Sequence, residues 1–347
     1  MIDKLEKTLA ALLRTILPES HYLKAVEGYL PHKYRRDVRQ RRLTDIFLFV
    51  TNRCNSRCRT CAIWKKRPPV DMDPKLIEKI VNQLEYQNLR FAFLGGEFFL
   101  HPQYQQILAL FDNRPQYFFV VTNGILTDRI VSAARNSRLK SVMISLNGDR
   151  EEYSRDRGVD AFDSVLSTIL ELKKMKVKVM ISYTLNRFND KDDFLFVEKL
   201  CKENDLQLVP VFYSEPCVLG VAGAGYQHYN QDVLSAISSS CLTDKYHRIF
   251  YEIYHEWLEG KVSLPCQSIF RQVVVLENAD VLLCSHLDVV LGNLHQAGPA
   301  EIWTSEKTIA LQKEYSRCNR CWSECHRVFD LTIHKGKYKK QAEESRA

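Results

Sequence analysis

An alternation that begins at Thr44 constrains this chain more than any other feature. Short apolar runs rich in β-branched and aromatic residues occur at Asp45–Val50, Arg90–Leu94, Tyr117–Val121, Ser141–Leu146, Val177–Leu185 and Leu206–Tyr213. Between them lie stretches of helical periodicity at Pro74–Tyr86, Pro102–Phe111, Asp128–Asn136, Phe162–Met175 and Asp192–Asn204. Strands separated by helix-length segments pair in parallel through right-handed crossovers. The result is either an open doubly wound sheet or a curved partial barrel. In both, chemistry belongs beyond the C-terminal ends of the strands.

The flanks read differently. Ile2, Leu5, Leu9, Leu12, Leu13 and Ile16 recur at helical spacing up to Pro18, which predicts an amphipathic helix. A shorter helix is expected around Tyr22 to Leu30, ended by Pro31. Both suit an extension packed on the main body, the sharper alternative being a surface for a membrane or partner. Much of the net charge of +7 comes from Lys33, Arg35, Arg36, Arg39, Arg41 and Arg42, against Asp37 alone. That run lacks interleaved aromatics, so a solvated or phosphate-facing segment is preferred to a nucleic-acid site. No apolar run approaches the roughly 18 residues of a membrane span, and no secretory signal is visible, so a cytoplasmic location is expected.

After Tyr213 the regularity breaks. Gly220, Gly223 and Gly225 mark a loop, Gln231–Glu259 reads mostly helical, and Val262 to about Phe329 is short and cysteine-rich. The expected division is a helical extension (1–43), a β/α core (44–213), a helical linker (214–261), a small cysteine-rich domain (262–330) and a charged tail (331–347).

Eleven cysteines is an unusual count for a chain not expected to use disulfides. Cys54, Cys58 and Cys61 form C-x3-C-x2-C just after the first strand. Three thiolates cannot close a tetrahedral structural zinc site alone, and no fourth ligand follows within several residues. His101 is a possible ligand on spacing, but after Gly95-Gly96-Glu97 it reads better as loop structure. An iron–sulfur cubane is therefore preferred, since three ligands leave one iron open. Gly95 and Gly96 let the backbone approach a ligand closely, and Glu97 can receive an ammonium group.

These motifs resemble the radical S-adenosylmethionine (SAM) superfamily. Supporting phrases are Thr51-Asn52-Arg53-Cys54-Asn55, Thr122-Asn123-Gly124, Ser145-Leu146-Asn147-Gly148 and Arg155-Asp156-Arg157-Gly158, all at strand ends in order from about Thr44 to Tyr213. Thr60 departs from the aromatic that many members carry before the third cysteine. The resemblance implies a partial (β/α)6 barrel of TIM type. It implies that Cys54, Cys58 and Cys61 ligate a 4Fe–4S cluster, whose open iron SAM chelates. Gly95, Gly96 and Glu97 would line the methionyl end, Thr122, Asn123 and Ser145 the ribose or carboxylate, and Arg157 would pair with the carboxylate. One electron would then cleave the sulfonium to give methionine and a deoxyadenosyl radical that abstracts a hydrogen atom.

The later cysteines resemble the auxiliary-cluster domain called SPASM, or its shortened form Twitch. Seventeen residues separate Cys266 from Cys284, Leu291-Gly292-Asn293-Leu294 and Glu301-Ile302-Trp303 follow, and Cys318, Cys321 and Cys325 close the pattern as C-x2-C-x3-C. A zinc ribbon is the plain alternative. Ala279 occupies the position of the family's glycine. The resemblance implies one auxiliary 4Fe–4S cluster on Cys266, Cys284, Cys318 and Cys321, with Cys325 replacing one of these or serving a second site. Of the rest, Cys201 reads as a buried hydrophobe, Cys241 is unassigned, and Cys217 lies at the mouth of the sheet. There it is either a plain loop residue or a hydrogen-atom donor to a substrate radical.

The expected function is an oxidoreductase or epimerase acting on a small polar molecule such as a sugar, aminocyclitol or nucleoside, with flavodoxin or ferredoxin as electron donor. Alternatives are a peptide-modifying maturase, a lipid substrate, or a zinc-binding scaffold with no activity.

Overall fold

The computed structural model describes residues 19–84, 89–213, 217–220, 229, 231–242 and 245–334. The helix expected over 2–17, Gly223, Gly225 and most of the charged tail lie outside the described residues.

The core strands are β1 (Asp45–Phe49), β2 (Arg90–Leu94), β3 (Tyr117–Thr122), β4 (Ser141–Ser145), β5 (Lys178–Leu185) and β6 (Gln207–Phe212). Each pairs in parallel with the next, in the order of the sequence. A strand order that never reverses puts every crossover on one face, so this is a partial (β/α) barrel and not a doubly wound sheet. Side-chain alternation agrees. Ile46, Leu48, Phe91, Phe93, Val120, Val142, Ile144 and Ile181 are buried in the main core under the helices. Their neighbours Phe47, Phe119, Val121 and Met143 are half-buried and face inward.

The helices form where caps and apolar stripes coincide. Pro74–Gln83 starts on Asp73, whose carboxylate accepts from the Lys75 amide, with Pro74 at the first helical position. Lys191–Glu203 opens with a reciprocal cap between Asp190 and Asp193. A further helix, Arg150–Arg157, has little apolar pattern but is bracketed by Asp149 as N-cap and by Gly158 at φ 63° as left-handed C-cap.

Two features differ from expectation. The helix of the N-terminal extension runs over Glu19–Arg39 with Pro31 inside it, where an end was expected. An interior proline costs about 3 kcal/mol, and the following half of the helix supplies compensating contacts. Tyr34 packs on Phe329 with ring centroids 4.4 Å apart, Arg35 donates to the Ile333 carbonyl at 2.6 Å, and buried Asp37 pairs with Lys33 at 3.0 Å. The sheet also continues past β1. Strand β7 (Gln272–Val275) pairs in parallel with β1, and β8 (Asp280–Leu282) and β9 (Val290–Asn293) follow antiparallel. Cysteine-rich residues therefore extend the core sheet itself. A final helix over 324–334 packs near the gap between β6 and β7, after Trp322, which stacks on Phe250 and Trp257.

Candidate functional site

The loop after β1 carries Cys54, Cys58 and Cys61, all half-buried. Backbone bonds tie it to the ends of two neighbouring elements. Gly96 N donates to Thr51 O and Glu97 N to Arg53 O, each at 2.7 Å; Arg57 N donates to Arg157 O at 2.7 Å and Arg59 N to Asp156 O at 3.0 Å. This close approach is what the glycines provide. A Cβ on Gly95 would sit 2.4 Å from Thr51 O, and one on Gly96 would sit 2.1 Å from Arg53 O. The space beside each is filled by the cysteine loop's backbone.

Glu97 is fully buried and anchors this corner. Its Oε1 accepts from the Thr122 hydroxyl at 2.8 Å and the Phe99 amide at 3.2 Å, and its Oε2 accepts from the Asn123 amide at 2.8 Å. Burial pushes the carboxyl above its ordinary range, partly offset by these donors. Asn123 continues the chain of bonds, donating through Nδ2 to Asn55 Oδ1 at 2.7 Å and Ser56 Oγ at 3.0 Å. Ser145, at the end of β4, is half-buried opposite Ser182 of β5.

Each of the three thiols accepts one N–H. Cys54 Sγ receives the Ser56 amide and Cys61 Sγ the Ile63 amide, both at 3.5 Å. Cys58 Sγ receives the guanidinium of buried Arg157, through Nη1 at 3.6 Å. Burial pushes Cys54 up to about 12 and Cys61 up to about 11, with the neighbouring cysteines adding to both. The thiols thus feel one another. Among the described residues, however, no three His, Cys, Asp or Glu side chains converge on a point where one metal ion would sit. A cubane holds its ligands at separate corners, which three neighbouring thiols on one loop suit.

The second set behaves alike. Cys266, Cys284 and Cys321 are buried and Cys318 is half-buried, with Cys266 N donating to Cys318 O at 2.7 Å. Burial pushes Cys266 up to about 12 and Cys284 up to about 11, and the four thiols lie within electrostatic reach of one another. Cys325 stands apart, exposed and interacting with Arg90. Cys217 lies between the two sets. Its thiol donates to Ser285 O at 3.2 Å beside Cys284, and its side chain shares an apolar cluster with Cys61. His101 uses both ring nitrogens on backbone, with Nε2 at 2.9 Å from Met72 O and Nδ1 accepting from Gln103 N at 3.0 Å. Cys201 is fully buried in the main core and Cys241 is exposed.

Sequence reasoning missed the residues that lock the cysteine loop in place. Ser56 belongs to no motif, and Asn55 and Asp156 lie inside motif phrases that give them no role. Asn147, which donates to Asp156 at 2.5 Å, lies within a quoted phrase, but its role was not read.

The radical SAM superfamily model matches residues 48–199, and the iron–sulfur cluster-binding domain SPASM matches residues 266–325. The chain thus carries a radical SAM domain followed by a SPASM domain. Its radical SAM domain implies a 4Fe–4S cluster and SAM, and its SPASM domain implies auxiliary iron–sulfur. GTP 3′,8-cyclase of Chlorobaculum tepidum is 30% identical over 190 residues, covering 50% of this chain and 56% of that one. Fe-coproporphyrin III synthase of Methanosarcina barkeri is 25% identical over 191 residues, covering 53% and 46%. The match thus spans about half the length of these relatives. Among solved structures, Streptococcus suis SuiB bound to S-adenosylmethionine is similar with TM-score 0.62 at 15% identity, covering 87% of this chain and 76% of that one. Native anSMEcpe with bound AdoMet and Cp18Cys peptide gives TM-score 0.57 at 20% identity, covering 84% and 88%. Among the described residues no helix is long and apolar enough to cross a membrane.

The residues fit the groups that this family implies. Glu97 is a buried carboxylate with three hydrogen-bond donors and no cation within ion-pair distance among the described residues, which suits an incoming ammonium. Arg157 is a buried guanidinium whose Nε makes no hydrogen bond, which suits a further acceptor.

Proposed function

We propose that this radical SAM enzyme acts on a small, neutral, polar molecule held inside the partial barrel, by dehydrogenation or epimerisation. The observation that carries this reading is the composition of the inward face. Phe47, Phe49, Phe119, Val121, Met143, Met180, Val209 and Val211 alternate with the outer core residues, and the hydroxyls of Ser145, Ser182 and Thr184 lie near the C-terminal rim. An apolar wall with a few hydroxyls holds a substrate's C–H bonds by contact and its polar groups by hydrogen bonds. No charged side chain alternates inward along β3 to β6 beyond their first residues, which argues against a polyanion deep in the lumen.

In this reading Cys54, Cys58 and Cys61 hold one 4Fe–4S cluster, and Cys266, Cys284, Cys318 and Cys321 hold one auxiliary cluster. When bound there, the first cluster and SAM would supply the radical chemistry that removes a hydrogen atom from an unactivated carbon. The chain's part is positioning. Glu97 receives the amino group of SAM, Thr122 and Asn123 fix Glu97, Ser145 lines the rim, and Gly95 and Gly96 set the height of the cysteine loop. Cys217 serves either as a hydrogen-atom donor or as packing between the two cysteine loops. The division into a core over 44–213 and a cluster domain over 262–330 belongs to this reading. So do a flavodoxin or ferredoxin donor and a cytoplasmic location, supported by eleven free cysteines.

A second reading is favoured by the likeness to SuiB, also solved with precursor peptide SuiA, and to anSMEcpe, solved with peptides. In it the substrate is a side chain of a peptide that threads the same lumen.

Anaerobic reconstitution tests the common part. The wild-type protein should hold about eight irons as two 4Fe–4S clusters and release 5′-deoxyadenosine with dithionite. Replacing Cys54, Cys58 and Cys61 together by alanine should halve the iron and abolish that release. Deoxyadenosine from the triple variant would overturn the ligand assignment. Stimulation of release by a neutral small-molecule fraction, and not by peptides, separates the two substrate readings.

A further inference from the structure

The three candidate ligand thiols are not held alike. Cys54 and Cys61 each accept a neutral backbone amide two residues ahead, a bond local to the loop. Cys58 instead accepts a charged donor from a residue ninety-nine positions away, the guanidinium of Arg157 at 3.6 Å. The setting of this contact is built from both sides. Arg57 N and Arg59 N, flanking Cys58, donate to the carbonyls of Arg157 and Asp156 at the end of helix Arg150–Arg157. Gly158 closes that helix at φ 63°, where a Cβ would lie 2.8 Å from Arg57 Cβ, so the helix end can come this close only with glycine there. Asp156 is fully buried, receives Asn147 Nδ2 at 2.5 Å, and stands 3.7 Å from Arg157 Nε, which keeps the guanidinium near Cys58.

We propose that Arg157 is a positioning residue that acts on the SAM-binding cluster through Cys58, by a charge-assisted N–H···S hydrogen bond that raises the cluster's reduction potential. This rests on the reading above that Cys58 is a cluster ligand, and it is separate from any contact of Arg157 with the carboxylate of SAM. Reduction adds one electron to the cluster and breaks no bond, so the cluster and its thiolates gain negative charge. A buried cation that donates to one ligand sulfur stabilises that more negative state, and hydrogen bonds to sulfur together with net charge are recognised determinants of such potentials. Cys54 and Cys61 carry neutral donors, so the effect is concentrated on one corner of the cluster.

The test is a redox titration of the reconstituted holoenzyme with dithionite and mediators, followed by electron paramagnetic resonance, first without SAM and then with it. The signal that changes on adding SAM identifies the cluster concerned. If no wild-type signal responds to SAM, the ligand assignment fails before any variant is compared. In Arg157→Met the SAM-free potential should fall so that the ratio of reduced to oxidised cluster, at fixed applied potential, drops about tenfold, equivalent to about 59 mV for one electron. The auxiliary signal should not move. Arg157→Lys keeps the charge but loses the fork, and should fall between wild type and Arg157→Met. It also covers the case in which Arg157→Met fails to assemble. An unchanged SAM-free potential in Arg157→Lys and in any assembled Arg157→Met, with a shift appearing only once SAM is added, would overturn the proposal and leave Arg157 as a SAM contact alone.

Discussion

The carboxylate of Glu324 accepts the backbone amide of Phe212 at 2.6 Å, joining residues 112 apart in the sequence. Phe212 ends β6, the strand at one edge of the sheet, so this amide has no strand partner. Two residues further on, His326 bonds to Gln272 of β7. The segment after Cys321 therefore spans the seam of the open barrel and satisfies an edge amide that burial would otherwise leave unpaired. Removing the acceptor exposes the cost of that amide. Glu324→Ala should lower stability by about 1–3 kcal/mol, while Glu324→Gln, which keeps an acceptor oxygen in place, should stay close to wild type. Denaturant unfolding of the two variants checks the difference; equal losses in both would show that the bond to Phe212 is not what matters.

The close approach of Gly96 to the cysteine loop makes a second, local prediction. A Cβ at this position lies 2.1 Å from Arg53 O, which is backbone and cannot swing away. Gly96→Ala must therefore push Arg53 and with it Cys54. The auxiliary thiols, on another part of the sheet, are untouched. Gly96→Ala should lose about half of the iron, the share of one of two 4Fe–4S clusters, and should release no deoxyadenosine. Full iron content in this variant would mean that the loop tolerates the displacement.

The strands were legible because each is a short apolar run between helix-length segments, whereas their order was not: the same alternation fits a doubly wound sheet and a barrel, and the barrel came from the resemblance, whose motif residues all follow strands. Arg150–Arg157 was not, since its residues make no apolar stripe; only Asp149 and Gly158 mark its ends. Pro31 pointed to a helix end that packing of Tyr34 and Arg35 overrides. Strand β7, four residues long, carries too little pattern to show that it pairs with β1. The cysteine spacings were plain. The contact between Arg157 and Cys58 depends on how two distant loops pack, which spacing cannot encode.

Acidity at the rim gives a pH prediction. The Glu152 carboxyl is almost fully buried, and burial first, then nearby Asp193, pushes it up to about 7; Asp193 itself is pushed up to about 6, again mainly by burial. An unfolded Glu titrates near 4.3, so the fold favours the protonated form. The stability this contributes is fully present below about pH 4.3 and is lost as pH rises through about 7. Arg155 Nη2, 2.9 Å from Glu152 Oε2, offsets part of the charge but not the burial. Wild-type stability should therefore fall between about pH 4 and pH 7, and Glu152→Gln should flatten that slope. A slope unchanged in Glu152→Gln would assign the dependence to other groups.

Ala279 closes the turn between β7 and β8 at φ 71° and is fully buried. Its amide donates to Leu276 O at 2.9 Å, and its carbonyl accepts from Leu294 N at 3.0 Å, so the conformation is held on both sides. A left-handed alanine carries a strain of about 1–2 kcal/mol. Glycine would relieve it but would forfeit about 0.8 kcal/mol of methyl burial and about 0.4–1 kcal/mol of unfolded-state entropy. The terms nearly cancel, so Ala279→Gly should fall within about 1 kcal/mol of wild type. Valine has no such balance. Its branched Cβ is strained at this φ, and its added methyl groups would have to enter a fully buried position, so Ala279→Val should cost about 2–4 kcal/mol. Because β8 leads directly into Cys284, the same change should loosen the auxiliary site. Thermal unfolding and iron analysis of the two variants read both effects. Loss of auxiliary iron in Ala279→Gly, with stability unchanged, would show that the methyl group positions Cys284 and that the turn conformation alone does not.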